Sequence, residues 1–130
     1  MESIADVWVS AAEKWDEVIA QVGDDQWEAS TTCDDWTVQE LVDHTMFWQG
    51  RGAGVFCDGL ADDADWPARK VALAKALADP ANLEGVAEAM GGTPKPAVAG
   101  LITADLLVHS WDLARSIGAD ETLPTAAVTS

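Results

Sequence analysis

The sequence of 130 residues is poor in cysteine, in recognisable targeting segments and in positive charge. It has two cysteines, Cys33 and Cys57, which are too few for a disulfide framework and are not spaced as a C-x-x-C pair. This cysteine usage fits a reducing compartment, so the sequence predicts a cytoplasmic protein. No basic stretch precedes an apolar one at the amino terminus, and no segment supplies the roughly 18 uncharged apolar residues of a membrane span. We therefore expect neither secretion nor a membrane partner.

Acidic residues outnumber basic ones by a wide margin. Asp and Glu total 23 against 7 Lys and Arg, which gives a formal net charge of −16. A surface this acidic repels phosphate backbones and anionic head groups, so nucleic acid is not an expected partner. Hydrophobic residues make up 48% of the chain, enough for one core, and the length is that of one domain. A homo-oligomer is compatible with this composition.

The first half of the chain has the pattern of two helices. Apolar residues recur at spacings of three and four over residues 3–22, which predicts a first helix ended by Gly23. Thr37 and Glu40 form a T-x-x-E capping box, so a second helix begins there. We expect it to run to about Gln49, where several glycines follow, although the apolar residues up to Phe56 could extend it by a turn.

Two further helices follow in the second half. Pro67 suits the first turn of a third helix over residues 68–78, and a long connection with one extended piece is expected over residues 81–96. Residues 97–117 are apolar nearly all round, which predicts a fourth, deeply buried helix closed by Gly118. Strand and helix patterns do not alternate, so the expected fold is all-α. Residues 1–118 would form the bundle and residues 119–130 an irregular tail.

Polar residues interrupt the apolar fourth helix on one side. Helical geometry places Asp105 and His109 about 40° apart, with Asp112 within about 60° of both. A desolvated carboxylate beside an imidazole requires an ion pair, a hydrogen-bond network or a metal ion. The other histidine of the chain, His44, lies near Trp48 on the side where the second helix should meet the bundle.

This pattern has two interpretations. His44, Asp105 and His109 can supply three ligands to a divalent ion and leave a position for water or substrate. Alternatively, Asp105 and His109 form a buried hydrogen bond, while Asp112 pairs with Arg115 on the helix surface. The spacing alone leaves both interpretations open.

Two segments resemble a known family. One ends in C-D-D-W-T-V-Q-E-L-V-D-H at His44, and the other reads D-L-L-V-H-S-W-D-L-A-R from Asp105 to Arg115. They resemble the mycothiol-dependent maleylpyruvate isomerase amino-terminal domain, above all its small metal-binding relatives in the DinB/YfiT-like superfamily. The resemblance implies a DinB-like four-helix bundle of up-down-down-up type with a long crossover connection. It also implies a divalent metal, commonly zinc, near one end of the bundle.

The resemblance assigns residues to this site. The first metal histidine of the family matches His44, and its acidic-x-x-x-His pair matches Asp105 and His109. For Asp112 two roles stay open, a local ion pair with Arg115 or the orientation of an imidazole through a hydrogen bond, and no catalytic residue is assigned. The isomerase has Glu where this chain has Asp105, which is one methylene shorter, so water-mediated or altered coordination is expected here.

Two functions follow as hypotheses. In the first, the protein is a transferase or isomerase in which the metal holds a low-molecular-weight thiol, such as mycothiol, as a thiolate for reaction with an electrophilic small molecule. Neither cysteine is needed as a nucleophile, and Cys33 is expected to be an ordinary loop thiol. In the second, the protein is a non-catalytic helical-bundle module in which the metal or polar network is structural.

Overall fold

The structure is a computed structural model that describes residues 3–31, 35–57 and 64–122. Within these residues the chain is mostly helical, and the predicted all-α four-helix fold is confirmed. The helices are α1 (Ile4–Ile19), α2 (Val38–Phe56), α3 (Trp66–Leu77) and α4 (Lys95–Ile117). Helix α1 packs against α3 and α4, and α2 packs against the same two helices from the other side. The helices therefore surround one shared core.

The long connection lies between α3 and α4. It contains two short 3-10 turns and a small antiparallel hairpin, in which β1 (Val86–Ala87) pairs with β2 (Thr93–Pro94). The single extended piece that we expected here is thus a pair of two-residue strands. Gly91 and Gly92 both have positive φ, at 69° and 77°, and lie in the turn between the two strands. The hairpin leads directly into α4.

Helix α2 begins at the predicted capping box. The Thr37 hydroxyl accepts a hydrogen bond from the Glu40 amide at 3.2 Å, and the Glu40 carboxylate accepts one from the Thr37 amide at 3.0 Å. The box satisfies two amides near the helix start that have no partner within the helix. His44 follows Thr37 by about two helical turns, so the start of α2 also sets the position of His44 along the helix axis.

The predicted end of α1 is wrong, and α2 ends at the farther of its two predicted positions. Helix α1 ends at Ile19 rather than at residue 22, and Gly23 does not cap it. Instead, Gln26 Oε1 accepts a hydrogen bond from the Gly23 amide at 2.7 Å, which stabilises a turn after the helix. Helix α2 continues past Gln49 to Phe56 despite its glycines. A Cβ on Gly52 would lie 2.7 Å from Ile102 Cγ2, so this glycine permits close approach to α4.

Helix α4 ends as predicted but is not buried all round. It ends at Ile117, and Gly118 caps it with a φ of 74°. Leu101 and Val108 are 58% and 54% exposed, so the expectation of deep burial is wrong for one face. In the described part of the chain, α4 is also the one helix whose length and composition would allow it to cross a membrane, although it packs here against α1 and α2.

A buried hydrogen-bond network joins α1, α2 and α4. The Trp8 indole donates to Gln49 Oε1 at 3.2 Å, and Gln49 Nε2 donates to the Ile102 carbonyl at 2.8 Å. Trp8 and Gln49 are at most 1% exposed. Gln49 therefore fixes the register of α2 against α4, and it does so about a turn and a half from His44.

The carboxy-terminal boundary stays a prediction. Residues 119–122 follow α4 without helical structure, and Lys14 Nζ donates to the Asp120 carbonyl at 2.8 Å. Most of the predicted tail lies outside the described residues, as does Cys33.

Candidate metal centre

Helices α2 and α4 bring His44, Asp105 and His109 together. One potential ligand atom from each of the three side chains lies within 4.8 Å of the other two. All three residues are half-buried. The two helices run antiparallel here, since His44 lies opposite His109 while Gly52 lies opposite Ile102. The cluster thus joins two helices that are far apart in the sequence.

The His109 imidazole lies between two carboxylates of its own helix. Its Nε2 is 3.1 Å from Asp105 Oδ1, and its Nδ1 is 3.7 Å from Asp112 Oδ2. Arg115 does not pair with Asp112. Its guanidinium instead stands 4.8 Å from the Trp111 ring centroid, and its Nε is 3.7 Å from Glu121 Oε1. The interpretation that placed Asp112 in a surface pair with Arg115 is therefore wrong.

Two buried atoms of the cluster lack hydrogen-bond partners. Asp105 Oδ2 and His109 Nδ1 have none among the residues that the structure describes. Buried side-chain polar atoms are usually hydrogen-bonded, so the Asp105–His109 contact does not account for the whole cluster. An additional positive group within reach of Asp105 would satisfy the remaining carboxylate oxygen.

The donor set fits a divalent metal ion. Imidazole nitrogen and carboxylate oxygen are both zinc ligands, at about 2.0–2.2 Å, and tetrahedral zinc sets its ligand atoms about 3.3 Å apart. The 3.1 Å separation of His109 Nε2 and Asp105 Oδ1 already matches this spacing. Small side-chain rotations would bring the more distant ligand atoms, which are at most 4.8 Å apart, to the same spacing. Three ligands leave a fourth position open.

Aromatic rings enclose the two imidazoles. The Trp36 ring centroid is 4.4 Å from that of His44 and 6.3 Å from that of His109. The Trp48 ring meets His44 edge-on at 6.3 Å, and the two imidazoles are 5.2 Å apart and nearly perpendicular. Sequence reasoning assigned no role to Trp36. Its position directly before the capping box of α2 was the available signal, because the cap fixes where the preceding residue lies.

An apolar cavity of about 220 Å³ adjoins the cluster. Asp105 forms part of its wall, together with Trp48, Met90, Leu101 and Ile102. A small ligand in this cavity would therefore contact Asp105 and apolar side chains.

Comparison with known proteins identifies the family. The family model described as the mycothiol maleylpyruvate isomerase N-terminal domain matches residues 8–89. The chain belongs to this family. The match to the mycothiol maleylpyruvate isomerase N-terminal domain includes Trp36 and His44 and ends before α4. The structure, rather than this match, is what brings Asp105 and His109 of α4 next to His44.

Longer relatives also exist. Two uncharacterized proteins of Mycobacterium tuberculosis, Rv0738 of strain H37Rv and MT0763 of strain CDC 1551 / Oshkosh, are each 31% identical to this chain over 109 residues. The aligned part covers 78% of this chain and 60% of each relative. The chain thus spans less than two thirds of the length of these relatives. No solved structure matches it significantly.

Proposed function

We propose that the protein binds a divalent metal ion, zinc in the first instance, through His44, Asp105 and His109. The observation that carries the proposal is the convergence of the three ligand atoms within 4.8 Å, next to a buried carboxylate oxygen of Asp105 that has no partner among the described residues. Two imidazoles and one carboxylate leave an open coordination position, which is the arrangement of catalytic rather than structural zinc sites.

We further propose that the site serves thiol chemistry of the mycothiol type, as a transferase or isomerase. A divalent ion held by His44, Asp105 and His109 would supply a positive charge that lowers the pKa of a nearby thiol. Membership in the mycothiol maleylpyruvate isomerase N-terminal domain family supports this chemistry. The second substrate would be an electrophilic small molecule. Because low-molecular-weight thiols stay reduced in the cytosol, the proposal places the protein there.

The surrounding residues have distinct tasks in this proposal. Asp112, 3.7 Å from His109 Nδ1, favours the tautomer in which that nitrogen carries the proton, which leaves the Nε2 lone pair to bind the metal ion that Asp105 would also hold. Trp36 packs against both imidazoles, limits their rotation and keeps water from that side. The 220 Å³ cavity beside Asp105 receives the apolar part of a substrate.

Metal content tests the ligand set directly. Protein purified without a histidine tag should hold about one equivalent of divalent metal by elemental analysis, and a chelator should lower its melting temperature. His109→Ala should abolish metal uptake, and Asp105→Asn should weaken it. Asp43→Asn is the matched control, because Asp43 lies beside His44 in sequence but is exposed and accepts a hydrogen bond from Gln39. Stoichiometric metal in His109→Ala, or a metal-free native protein unaffected by added zinc, would refute the ligand set.

A structural role is the second candidate function. The 3.1 Å contact between His109 and Asp105 favours it, because a polar network alone can stiffen α4 beside α2. Thiol binding separates the two functions. In cobalt-loaded protein, a thiol that occupies the open position should produce a sulfur-to-cobalt charge-transfer absorption, and a panel of electrophiles should then react with the thiol faster than in buffer. A loaded protein that gives no such absorption and only the uncatalysed rate would be a non-catalytic module.

A further inference from the structure

Two cations that have no ion-pair partner among the described residues line one groove near the metal centre. The groove has a volume of about 460 Å³, and Arg51 and Lys95 form part of its wall. The chain has 23 acidic and only 7 basic side chains, so an ion-pair partner is available for nearly any cation. Among the described residues, however, neither Arg51 nor Lys95 lies within ion-pairing distance of a carboxylate. Their positive charges remain available to a ligand.

Contacts with neutral groups hold Arg51 in place. Its guanidinium carbon stands 5.7 Å from the Trp48 ring centroid and 5.9 Å from that of Phe47. Cation–π contact orients the guanidinium without neutralising it, because the rings accept no proton and carry no net charge. Two N–H donors on one edge of the planar group can therefore bind a carboxylate.

Lys95 adds a second positive charge to the wall of the groove. It is half-buried at the start of α4, whose first turn contains no acidic residue. A helix start already favours negative charge, so a lysine there makes the local potential more positive. Glu88 also lines the groove and offsets one of the two charges. The lining residues named here therefore leave a net positive groove on a strongly acidic protein.

The groove borders the cavity beside the candidate metal centre. Met90 lines both this groove and the 220 Å³ cavity that Asp105 borders. Trp48 connects the two sites as well, since its ring lies near both His44 and Arg51. Arg51 follows His44 by seven residues on α2, so it lies on nearly the same side of the helix about 10 Å farther along the axis.

We propose that Arg51 and Lys95 bind a carboxylate of an elongated small molecule whose other end reaches the metal centre. This inference rests on the proposed function and deepens it, because it assigns a charge and a length to the ligand. The apolar wall of Met90 and Trp48 between the two sites suits an aliphatic middle section. The carboxylate can belong to the thiol or to its electrophilic partner, and the following probes distinguish the two sources.

The first experiment measures the binding of thiols to the cobalt-loaded protein. Mercaptoalkanoates with chains of roughly six to eight carbon atoms span the distance from His44 to Arg51, and mercaptoalcohols of equal length serve as uncharged counterparts. The charge-transfer absorption gives the affinity of each. We expect the carboxylate to improve affinity about fivefold to thirtyfold, and the advantage to decrease with added salt.

Substitutions locate the effect. Arg51→Met and Lys95→Met should each reduce the advantage of the carboxylate, and the double variant should remove it while mercaptoalcohol binding stays unchanged. Lys75→Met is the matched control. Lys75 is exposed and has no ion pair among the described residues, but it lines a different cavity with Cys57 and Asp79, so its loss should leave the advantage intact. Equal affinities for both thiol classes in the native protein would refute a site for the carboxylate of a thiol.

The second experiment uses metal-free protein and an aliphatic dicarboxylate that contains no sulfur. Binding by calorimetry that is lost in Lys95→Met but kept in Lys75→Met would assign the site to the electrophile. A carboxylate preference among thiols alone would assign it to the thiol, and no preference in either experiment would overturn the inference. Failure of all thiols to perturb cobalt would instead refute the proposed function, and the dicarboxylate result would still test Arg51 and Lys95.

Discussion

The contact between Gly52 and Ile102 gives a sharp test of how α2 and α4 are held together. An alanine Cβ at residue 52 would lie 2.7 Å from Ile102 Cγ2 and 3.1 Å from its Cδ1. Gly54, two residues later on the same helix, has no atom within 4 Å of the corresponding position. Gly52→Ala and Gly54→Ala thus make the same chemical change in one helix, with and without a steric clash.

The structure sets the magnitude of the difference. Replacing a helical glycine by alanine stabilises a protein by about 0.5–1 kcal/mol through helix propensity alone. Overpacking in a core costs about 1–3 kcal/mol. Ile102 is only 4% exposed, and its carbonyl oxygen accepts a hydrogen bond from Gln49 Nε2 at 2.8 Å. Neither the side chain nor the backbone of Ile102 can therefore move away freely. We therefore expect Gly52→Ala to lower the free energy of unfolding by about 0.5–2 kcal/mol.

Urea denaturation of the two variants measures this difference. Gly54→Ala should be as stable as the native protein or more stable by up to about 1 kcal/mol, while Gly52→Ala should unfold at lower urea with an unchanged m-value. A thermal scan should show the same order, with a shift of roughly 3–5 °C for each kcal/mol in a domain of this size. If Gly52→Ala proved as stable as Gly54→Ala, the close approach of α2 to Ile102 would be refuted.

Two further predictions concern buried polar groups. Gln49→Leu leaves the Trp8 indole without its acceptor at 3.2 Å and should lower the free energy of unfolding by about 1–3 kcal/mol in urea denaturation. The exposed control Gln39→Leu should change the free energy of unfolding by less than about 0.5 kcal/mol. Equal losses in both variants would contradict a role for the buried network. Asp112→Ala should reduce metal affinity about tenfold to a hundredfold in a competition titration without changing the stoichiometry, because His109 Nδ1 loses the carboxylate beside it. An unchanged affinity would show that Asp112 does not orient the imidazole.

The candidate metal centre and the groove share one structural origin. Both lie where α2 meets α4, and Trp48 contributes to both. The Gly52–Ile102 contact and the Gln49 hydrogen bonds fix the spacing of these helices one to two turns away from His44. Substitutions that separate the helices should therefore weaken metal binding as well as stability, even where they touch no ligand.

Local interactions explain which features could be predicted from the sequence. A capping box depends on residues three positions apart, so the sequence predicted the start of α2 at Thr37. It also predicted the carboxy-terminal end of α4, where Gly118 adopts a positive φ. Helical periodicity likewise placed Asp105 and His109 on one face, and in the structure His109 Nε2 lies 3.1 Å from Asp105 Oδ1. The end of α1 was missed because the Gln26 side chain, rather than Gly23 itself, shapes the turn.

Contacts between helices decided the rest. Periodicity indicated that His44 faces the bundle and left its meeting with His109 as one of two interpretations, which the family resemblance favoured. Only the packing of α2 on α4 sets the 5.2 Å distance between the two ring centroids. The exposed face of α4 could not be predicted from its apolar sequence, because hydropathy does not show which neighbours a helix lacks. Arg51 and Lys95 are 44 positions apart in the sequence and share a groove only through the hairpin and α4. The sequence by itself determined the helices and the charged groups on each, since both depend on nearby residues, whereas the tertiary structure decided which groups from different helices meet.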